Sequence, residues 1–174
     1  MPMTVPHASA QSRADTDDFA VPEGFVPRQV GGGFLQGVGP IFVKREDGGR
    51  CRYGFRVGRQ HCNPMDICHG GMLATFADVV LGVEGVRQAG AKGFFTTVSL
   101  TTDFLAPAPL GAWVEAQAEL LSRSRATMFV QGLFTVGGTP VLRASGVFRL
   151  PSSPPPAAAG GEGTAGAASA DRRA

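Results

Sequence analysis

The sequence predicts an α+β domain in which an antiparallel sheet wraps around one long central helix. Three observations lead to this prediction. The stretch from His69 to about Gln88 has helical character and is apolar on nearly every side, as expected of a buried helix. Two strand candidates precede it and four follow it. Short turns join these strands, so neighbours along the chain are expected to pair antiparallel around the helix.

The two strand candidates before the helix form a predicted hairpin. The first lies within 40–44, and the turn residues Asp47-Gly48-Gly49 follow it. Residues 50–57 then alternate arginines with apolar side chains, which is typical of a strand with one buried face. The positions expected to be buried are Cys51, Tyr53, Phe55 and Val57.

Four further strand candidates follow the helix. Thr101 and Thr102 interrupt the alternation in the first of them, which indicates a bulge or an interface. Turns rich in Pro, Gly and Ser separate the strands. The predicted strands cover about 93–105, 112–122, 125–136 and 140–150.

Length and composition indicate one domain. The chain has 174 residues, and its hydrophobic fraction of 43% is enough to form a core. We expect the folded domain over about 21–150. The flanking segments 1–20 and 151–174 are predicted to be disordered tails, because their composition offers little apolar surface to bury.

Charge and cysteine content limit the expected partners. A formal net charge of +2 favours neither nucleic acid nor any other strongly charged partner. No stretch approaches the roughly 18 apolar residues of a membrane span, and no signal-like pattern opens the chain, so we expect a cytoplasmic protein without a membrane partner. Three irregularly spaced cysteines argue against a disulfide framework. Cys62 and Cys68, with His61 and His69, do not follow a known zinc spacing, so no metal is expected.

Two adjacent glycines, Gly70 and Gly71, open the predicted helix. Each glycine costs a helix roughly 1 kcal/mol relative to alanine, so the pair is expected to serve another purpose. Backbone N–H groups in the first turn lack helical partners and can stabilise a carbonyl oxygen that becomes negative. Close helix packing is the other explanation, and the glycines alone do not decide between them.

Asp78 lies on the same helix beside small and apolar neighbours. The residues three and four positions away are Ala74, Thr75, Leu81 and Gly82. A carboxylate is expensive to bury on such a face unless it is paired or used as a general base. A structural Asp bonded to an amide or an arginine remains an alternative. Glu84 is expected to be a solvated residue at the helix end, and His61 an ordinary loop residue.

The combination of Asn63, His69-Gly70-Gly71 and Asp78 resembles the hotdog-fold thioesterase superfamily, and most closely its phenylacetate-degradation-type branch. The later stretch TTVSLTTDFLAPAPLGAWVEAQAELL, residues 96–121, resembles the third and fourth strands of that fold. The similarity covers about 35–150. It implies hydrolysis of an acyl-CoA, with coenzyme A as part of the substrate and no other cofactor.

The resemblance also implies a role for each motif residue. Asp78 matches the carboxylate that activates water or attacks the thioester. Gly70 matches the residue whose N–H holds the thioester carbonyl, with Asn63 near the reacting group and His69 supporting it. Thr97 matches a position that holds the attacking water. The family's site lies between subunits, so we expect a homodimer or homotetramer in which Asp78 and Thr97 face Asn63 and Gly70 of a partner.

One residue departs from the family pattern. Asp66 stands where many relatives carry glycine, and Asp tolerates left-handed backbone better than most residues. It also adds a carboxylate near the expected site entrance, which would disfavour acidic acyl groups.

The expected substrate is an aryl-acyl or medium-chain acyl-CoA. Its acyl pocket is predicted from apolar side chains of the helix, namely Met72, Leu73, Phe76, Val79 and Val80. Two other functions remain open: a hotdog dehydratase or hydratase, whose catalytic histidine motif is absent from the chain, and a non-catalytic acyl-CoA-binding protein.

Overall fold

The computed structural model describes residues 20–29 and 33–150. Within these residues the chain forms one seven-stranded antiparallel sheet around a long helix. The strands are β1 Val26–Arg28, β2 Ile41–Arg45, β3 Cys51–Arg56, β4 Thr96–Phe104, β5 Trp113–Arg123, β6 Thr127–Val136 and β7 Thr139–Arg149. The helices are α1 Phe34–Val38 and α2 Gly70–Gln88. The strand order across the sheet is β1-β2-β3-β5-β6-β7-β4.

The predicted fold class is confirmed, and the long helix begins and ends within one residue of its predicted bounds. The structure adds two short elements that were not predicted. β1 has three residues, one of them Pro27, and α1 has five residues bounded by Gly33 and Gly39. Both are too short to show a periodic pattern. The two predicted tails fall almost entirely outside the described residues.

The core lies between α2 and the inner face of the sheet. On β3 the predicted alternation holds, since Tyr53 and Phe55 are each 1% exposed. Phe76 of α2 is fully buried, and its ring centroid lies 4.7 Å from that of Phe55 and 5.6 Å from that of Phe134. Because α2 is covered on nearly all sides, its apolar residues mostly form core.

The predicted acyl pocket is therefore wrong in most of its residues. Leu73, Phe76, Val79 and Val80 belong to the buried core. Only Met72 is partly exposed and lines a cavity. The error arose because an all-round apolar helix looks the same in sequence whether its side chains face a pocket or the core.

Strand β4 forms one edge of the sheet, with β7 as its neighbour on one side. Its pairing with β7 shifts register between Thr97 and Ser99, so the bulge lies there and not at the predicted Thr101 and Thr102. Val98, at the bulge, is 63% exposed, and Phe104, at the strand end, is 55% exposed. An edge strand with exposed apolar side chains is suited to pairing with another chain.

Glu84 is buried, with 1% exposure, and not solvated as predicted. It accepts hydrogen bonds from Tyr53 Oη at 2.9 Å, Arg87 Nε at 2.7 Å and Gln88 Nε2 at 2.8 Å. Burial alone would raise the pKa of Glu84, but the bonds from Arg87, Gln88 and Tyr53 outweigh it and hold that pKa below its usual value. This cluster joins the end of α2 to β3.

Candidate active site

His69 caps the N-terminus of α2. Its backbone is extended, with φ −62° and ψ 137°, and its Nδ1 accepts a hydrogen bond from the N–H of Gly71 at 2.9 Å. Its carbonyl accepts from Met72 N at 2.9 Å and Leu73 N at 3.2 Å. Among the described residues, the N–H of Gly70 therefore has no acceptor in this first turn. The structure leaves this donor, at the positive end of the helix dipole, available to a ligand.

Gly70 lies against an aromatic ring from the sheet edge. A β-carbon at this position would lie 3.2 Å from the ring of Phe104, which is closer than ordinary van der Waals contact. Glycine thus allows α2 and β4 to approach closely at the point where the free N–H lies. The close-packing explanation considered from the sequence applies here, whereas stabilisation of a carbonyl oxygen by the exposed donor stays a prediction.

Asp78 and Thr97 meet on the exposed side of α2. Thr97 Oγ1 donates a hydrogen bond of 2.6 Å to Asp78 Oδ1, and the aspartate is half-buried. The partner of Asp78 is thus a hydroxyl, not the amide or arginine of the structural alternative. The bulge in β4 displaces Val98 and lets Thr97 face the helix.

Asn63 lies in the loop before α2. Its Oδ1 accepts from Met65 N at 2.9 Å, which leaves its side-chain NH₂ without an acceptor in the described part of the chain.

Asp66 has a φ of 55°, so it adopts the left-handed backbone that was expected at this position. Its exposed carboxylate lies 3.4 Å from Arg59, an ion pair that reduces its effect on nearby anions.

His61 is a structural residue and not an exposed base. It is 7% exposed, its Nδ1 accepts from Gly58 N at 2.9 Å, and its Nε2 lies 2.5 Å from the Val38 carbonyl. These bonds assign the proton to Nε2, because Nδ1 must accept and a carbonyl cannot donate. The ring joins the loop to α1.

The helix separates the two halves of the site. Gly70 and Asp78 are eight positions apart (78 − 70), which corresponds to a rise of about 12 Å. A small group bound at the Gly70 N–H is therefore too far along the helix to contact Asp78 of the same chain. The structure joins Asp78 to Thr97, whereas His69 and Gly70 lie at the N-terminus of α2 and Asn63 lies in the loop before it.

Comparison with known proteins identifies the family. The family model described as thioesterase superfamily matches residues 65–142. A Pseudomonas aeruginosa protein named "Putative esterase PA0474" is 33% identical over 131 residues, which cover 75% of this chain and 98% of that protein. The chain belongs to the thioesterase superfamily.

Solved structures show the hotdog fold of this superfamily. A Bacillus halodurans protein crystallised with CoA has a TM-score of 0.58 at 23% identity, covering 64% of this chain and 74% of that chain. A mutant form of a phenylacetic acid degradation protein from Thermus thermophilus has a TM-score of 0.58 at 24% identity, covering 67% of this chain and 96% of that chain.

Sequence reasoning missed Phe104 as a site residue. It carries no polar group, and in the sequence it is one of twelve phenylalanines. Its contact with Gly70 depends on β4 running antiparallel to β7 at the sheet edge, which no local pattern shows.

The described residues include no cluster of three or more His, Cys, Asp or Glu side chains that could hold a metal ion. None of their helices is long and apolar enough to cross a membrane.

Proposed function

We propose that this thioesterase superfamily member hydrolyses aryl-acyl or medium-chain acyl-CoA to the free acid and CoA, as a protein of the phenylacetate-degradation-type branch. The observation that carries the proposal is the 2.6 Å bond from Thr97 to Asp78, which holds a carboxylate at an otherwise small and apolar helix face. The CoA bound to the Bacillus halodurans structure supports the choice of thioester.

The proposed chemistry divides between the N-terminus of α2 and its middle, where Asp78 lies. The N–H of Gly70 binds the thioester carbonyl and stabilises the negative charge that develops on its oxygen. Asp78, with Oδ1 held by Thr97, uses its other oxygen to accept a proton from water or to attack the carbonyl carbon. In either route the C–S bond breaks and CoA leaves as the thiolate, which takes up a proton. Direct attack forms an acyl–Asp78 anhydride, and water attack on its Asp78 carbonyl carbon leaves ¹⁸O in the Asp78 carboxylate after a single turnover in H₂¹⁸O, whereas the general-base route places ¹⁸O only in the acid product.

The proposed site is shared between two subunits. β4 leads from Thr97, beside Asp78, to Phe104, beside Gly70. Antiparallel pairing of two β4 strands about a centre near Leu100 would place Thr97 of one chain opposite Phe104 of the partner subunit. Asp78 would then face Gly70 of the partner subunit. This arrangement also covers the exposed edge, and two such pairs would form a homotetramer.

A complementation experiment tests the shared site. Asp78→Asn and Asn63→Ala chains with different tags are coexpressed, and the mixed dimer is purified. If the site is shared, one of its two sites contains no substitution, so the mixed dimer should recover about half of the wild-type kcat. Each homodimer should remain at least about 10²-fold below wild type. A mixed dimer as inactive as its parents would place both residues in one chain's site.

A substrate panel tests the proposed reaction. We expect thiol release from hexanoyl-CoA and phenylacetyl-CoA with higher kcat/KM than from acetyl-CoA, because each buried methylene adds roughly 0.8 kcal/mol. Succinyl-CoA should be poor, since an apolar site leaves its second carboxylate unpaired. A preference for succinyl-CoA would contradict the acyl assignment, and failure to hydrolyse any acyl-CoA would contradict the reaction.

Replacing the Thr97 hydroxyl tests how Asp78 is held. Thr97→Val keeps the side-chain shape but removes the donor. A hydrogen bond to a charged group contributes about 1.5–3 kcal/mol, so kcat should fall by about 10- to 100-fold with little change in KM. Thr97→Ser keeps the hydroxyl and should retain most of the activity. Wild-type kcat in Thr97→Val together with a loss in Thr97→Ser would show that the methyl group, and not the bond, matters.

The cellular setting is also a proposal. Cys51, Cys62 and Cys68 are all free thiols in the structure. We infer a reducing, cytoplasmic setting from these thiols, and cell fractionation followed by thiol labelling would check it.

A further inference from the structure

We propose that the cavity between α1 and the first turns of α2 is the chamber for the acyl group, and that Phe34, Gly37 and Met72 determine which acyl groups fit. This inference rests on the proposed function. The cavity has a volume of about 420 Å³ and opens to solvent. It lies outside the core residues from which the sequence predicted an acyl pocket.

The position of the chamber follows from the N-terminus of α2. His69 and Gly71 both line it, and they flank Gly70, whose N–H is available to a ligand. A thioester whose carbonyl is bound by Gly70 has its acyl group directly beside this opening. Thr75, one turn further along α2, lines the same cavity and continues the helix face toward Asp78.

The polar side chains around the chamber are mostly occupied by protein partners. Both ring nitrogens of His61 bond to backbone groups, and His69 Nδ1 accepts from Gly71 N. Thr75 Oγ1 donates to the Gly71 carbonyl at 2.9 Å. Among the described residues, neither an acidic side chain nor a lysine or an arginine lines the cavity. A charged acyl terminus would therefore lose its hydration without gaining a partner.

Apart from the exposed Gln60, the remaining lining is mostly apolar. Phe34 is 73% exposed at the edge, and Val38 and Met72 face the same space. An exposed phenylalanine beside a partly exposed methionine offers surface that a substrate can cover, and methionine adapts to ligands of different shape. This chemistry fits an aromatic ring or an alkyl chain, both of which gain free energy in proportion to the apolar area buried.

Gly37 sets the free volume on the α1 side. A β-carbon built there would meet no atom within 4 Å, and its φ lies outside the left-handed region, so a side chain is accommodated without strain. Replacing a helical glycine also favours the helix. Because Gly37 lines the cavity, we expect Gly37→Leu to occupy space in the chamber while preserving the fold. The neighbouring Gln36 is exposed and does not line the cavity, which makes Gln36→Leu a matched control.

The test compares kcat/KM for acetyl-, octanoyl- and phenylacetyl-CoA in wild type, Gly37→Leu and Gln36→Leu. We expect Gly37→Leu to lower kcat/KM for octanoyl-CoA and phenylacetyl-CoA by at least about tenfold, since the leucine removes the space of two or more methylenes. The acetyl-CoA value should stay within about twofold, and Gln36→Leu should match wild type throughout. Phe34→Ala should weaken the preference for larger groups.

Binding of the non-hydrolysable thioether S-octyl-CoA separates this inference from the proposed function. If wild type hydrolyses no thioester, the proposed function fails, and the Kd of S-octyl-CoA alone tests the chamber. A Kd at least about tenfold weaker in Gly37→Leu supports it. An unchanged Kd would overturn the assignment of the chamber. Equal losses of kcat/KM for acetyl-CoA and the larger acyl-CoAs would also overturn it, because they would indicate that the pantetheine arm, and not the acyl group, lies in the cavity.

Discussion

Asp78→Asn is expected to lower kcat on the best acyl-CoA substrate by at least about 10²-fold, the usual contribution of a general base. Asparagine has nearly the same shape and keeps an oxygen that can accept the bond from Thr97. The substitution thus removes the basic oxygen but not the contact. The loss should appear in kcat, with the Kd of S-octyl-CoA nearly unchanged.

Two controls accompany this experiment. Asp47→Asn changes an exposed aspartate in the turn between β2 and β3 and should leave kcat at the wild-type level. Thermal unfolding should show that Asp78→Asn retains its fold, since Asp78 is only half-buried and a neutral side chain is less costly there than a carboxylate. Turnover within a few-fold of wild type would show that another group supplies the base.

The sequence predicted α2 because the features that define this helix are local. An apolar run of this length is compatible with few structures other than a buried helix. Asn63, His69-Gly70-Gly71 and Asp78 form a pattern that resembles a family. The division of labour between Gly70 and Gly71 was not predictable. It depends on the His69 side chain turning back to cap Gly71, which leaves Gly70 as the free donor.

Other features depend on contacts between distant parts of the chain. The apolar residues of α2 form core because the sheet covers the helix. The cavity beside the N-terminus of α2 is formed in part by α1, whose five residues are too few to show a periodic sequence pattern. The β4 bulge lies between Thr97 and Ser99, where the register with β7 shifts, and this register is set by a distant strand. Glu84 showed possible helical partners in Arg87 and Gln88, but its burial depends on Tyr53 from β3.

Glu84→Ala is expected to lower the free energy of unfolding by about 1–3 kcal/mol, the usual cost of leaving a buried hydrogen-bonding group such as the Tyr53 hydroxyl without its partner, since the Arg87 side chain is 39% exposed and can be hydrated. Glu84 is 1% exposed, and its loss would leave Arg87, Gln88 and the buried Tyr53 hydroxyl without their shared acceptor. Urea unfolding followed by circular dichroism measures the change. Glu119→Gln is the control, because this exposed side chain accepts a hydrogen bond from Gln131 at 3.3 Å and should change stability by less than about 0.5 kcal/mol.

The same cluster predicts how stability depends on pH. The pKa of Glu84 in the folded protein lies below its ordinary value of 4.5, because its hydrogen bonds outweigh the effect of burial. A lowered folded-state pKa contributes stability that is present above the unfolded pKa and is lost as pH falls through the folded value. The stability difference between wild type and Glu84→Gln should therefore be largest near pH 7 and should shrink below about pH 4.5. A difference that stays constant from pH 7 to 3 would show that Glu84 stabilises the fold through shape and neutral hydrogen bonds, and not through its charge.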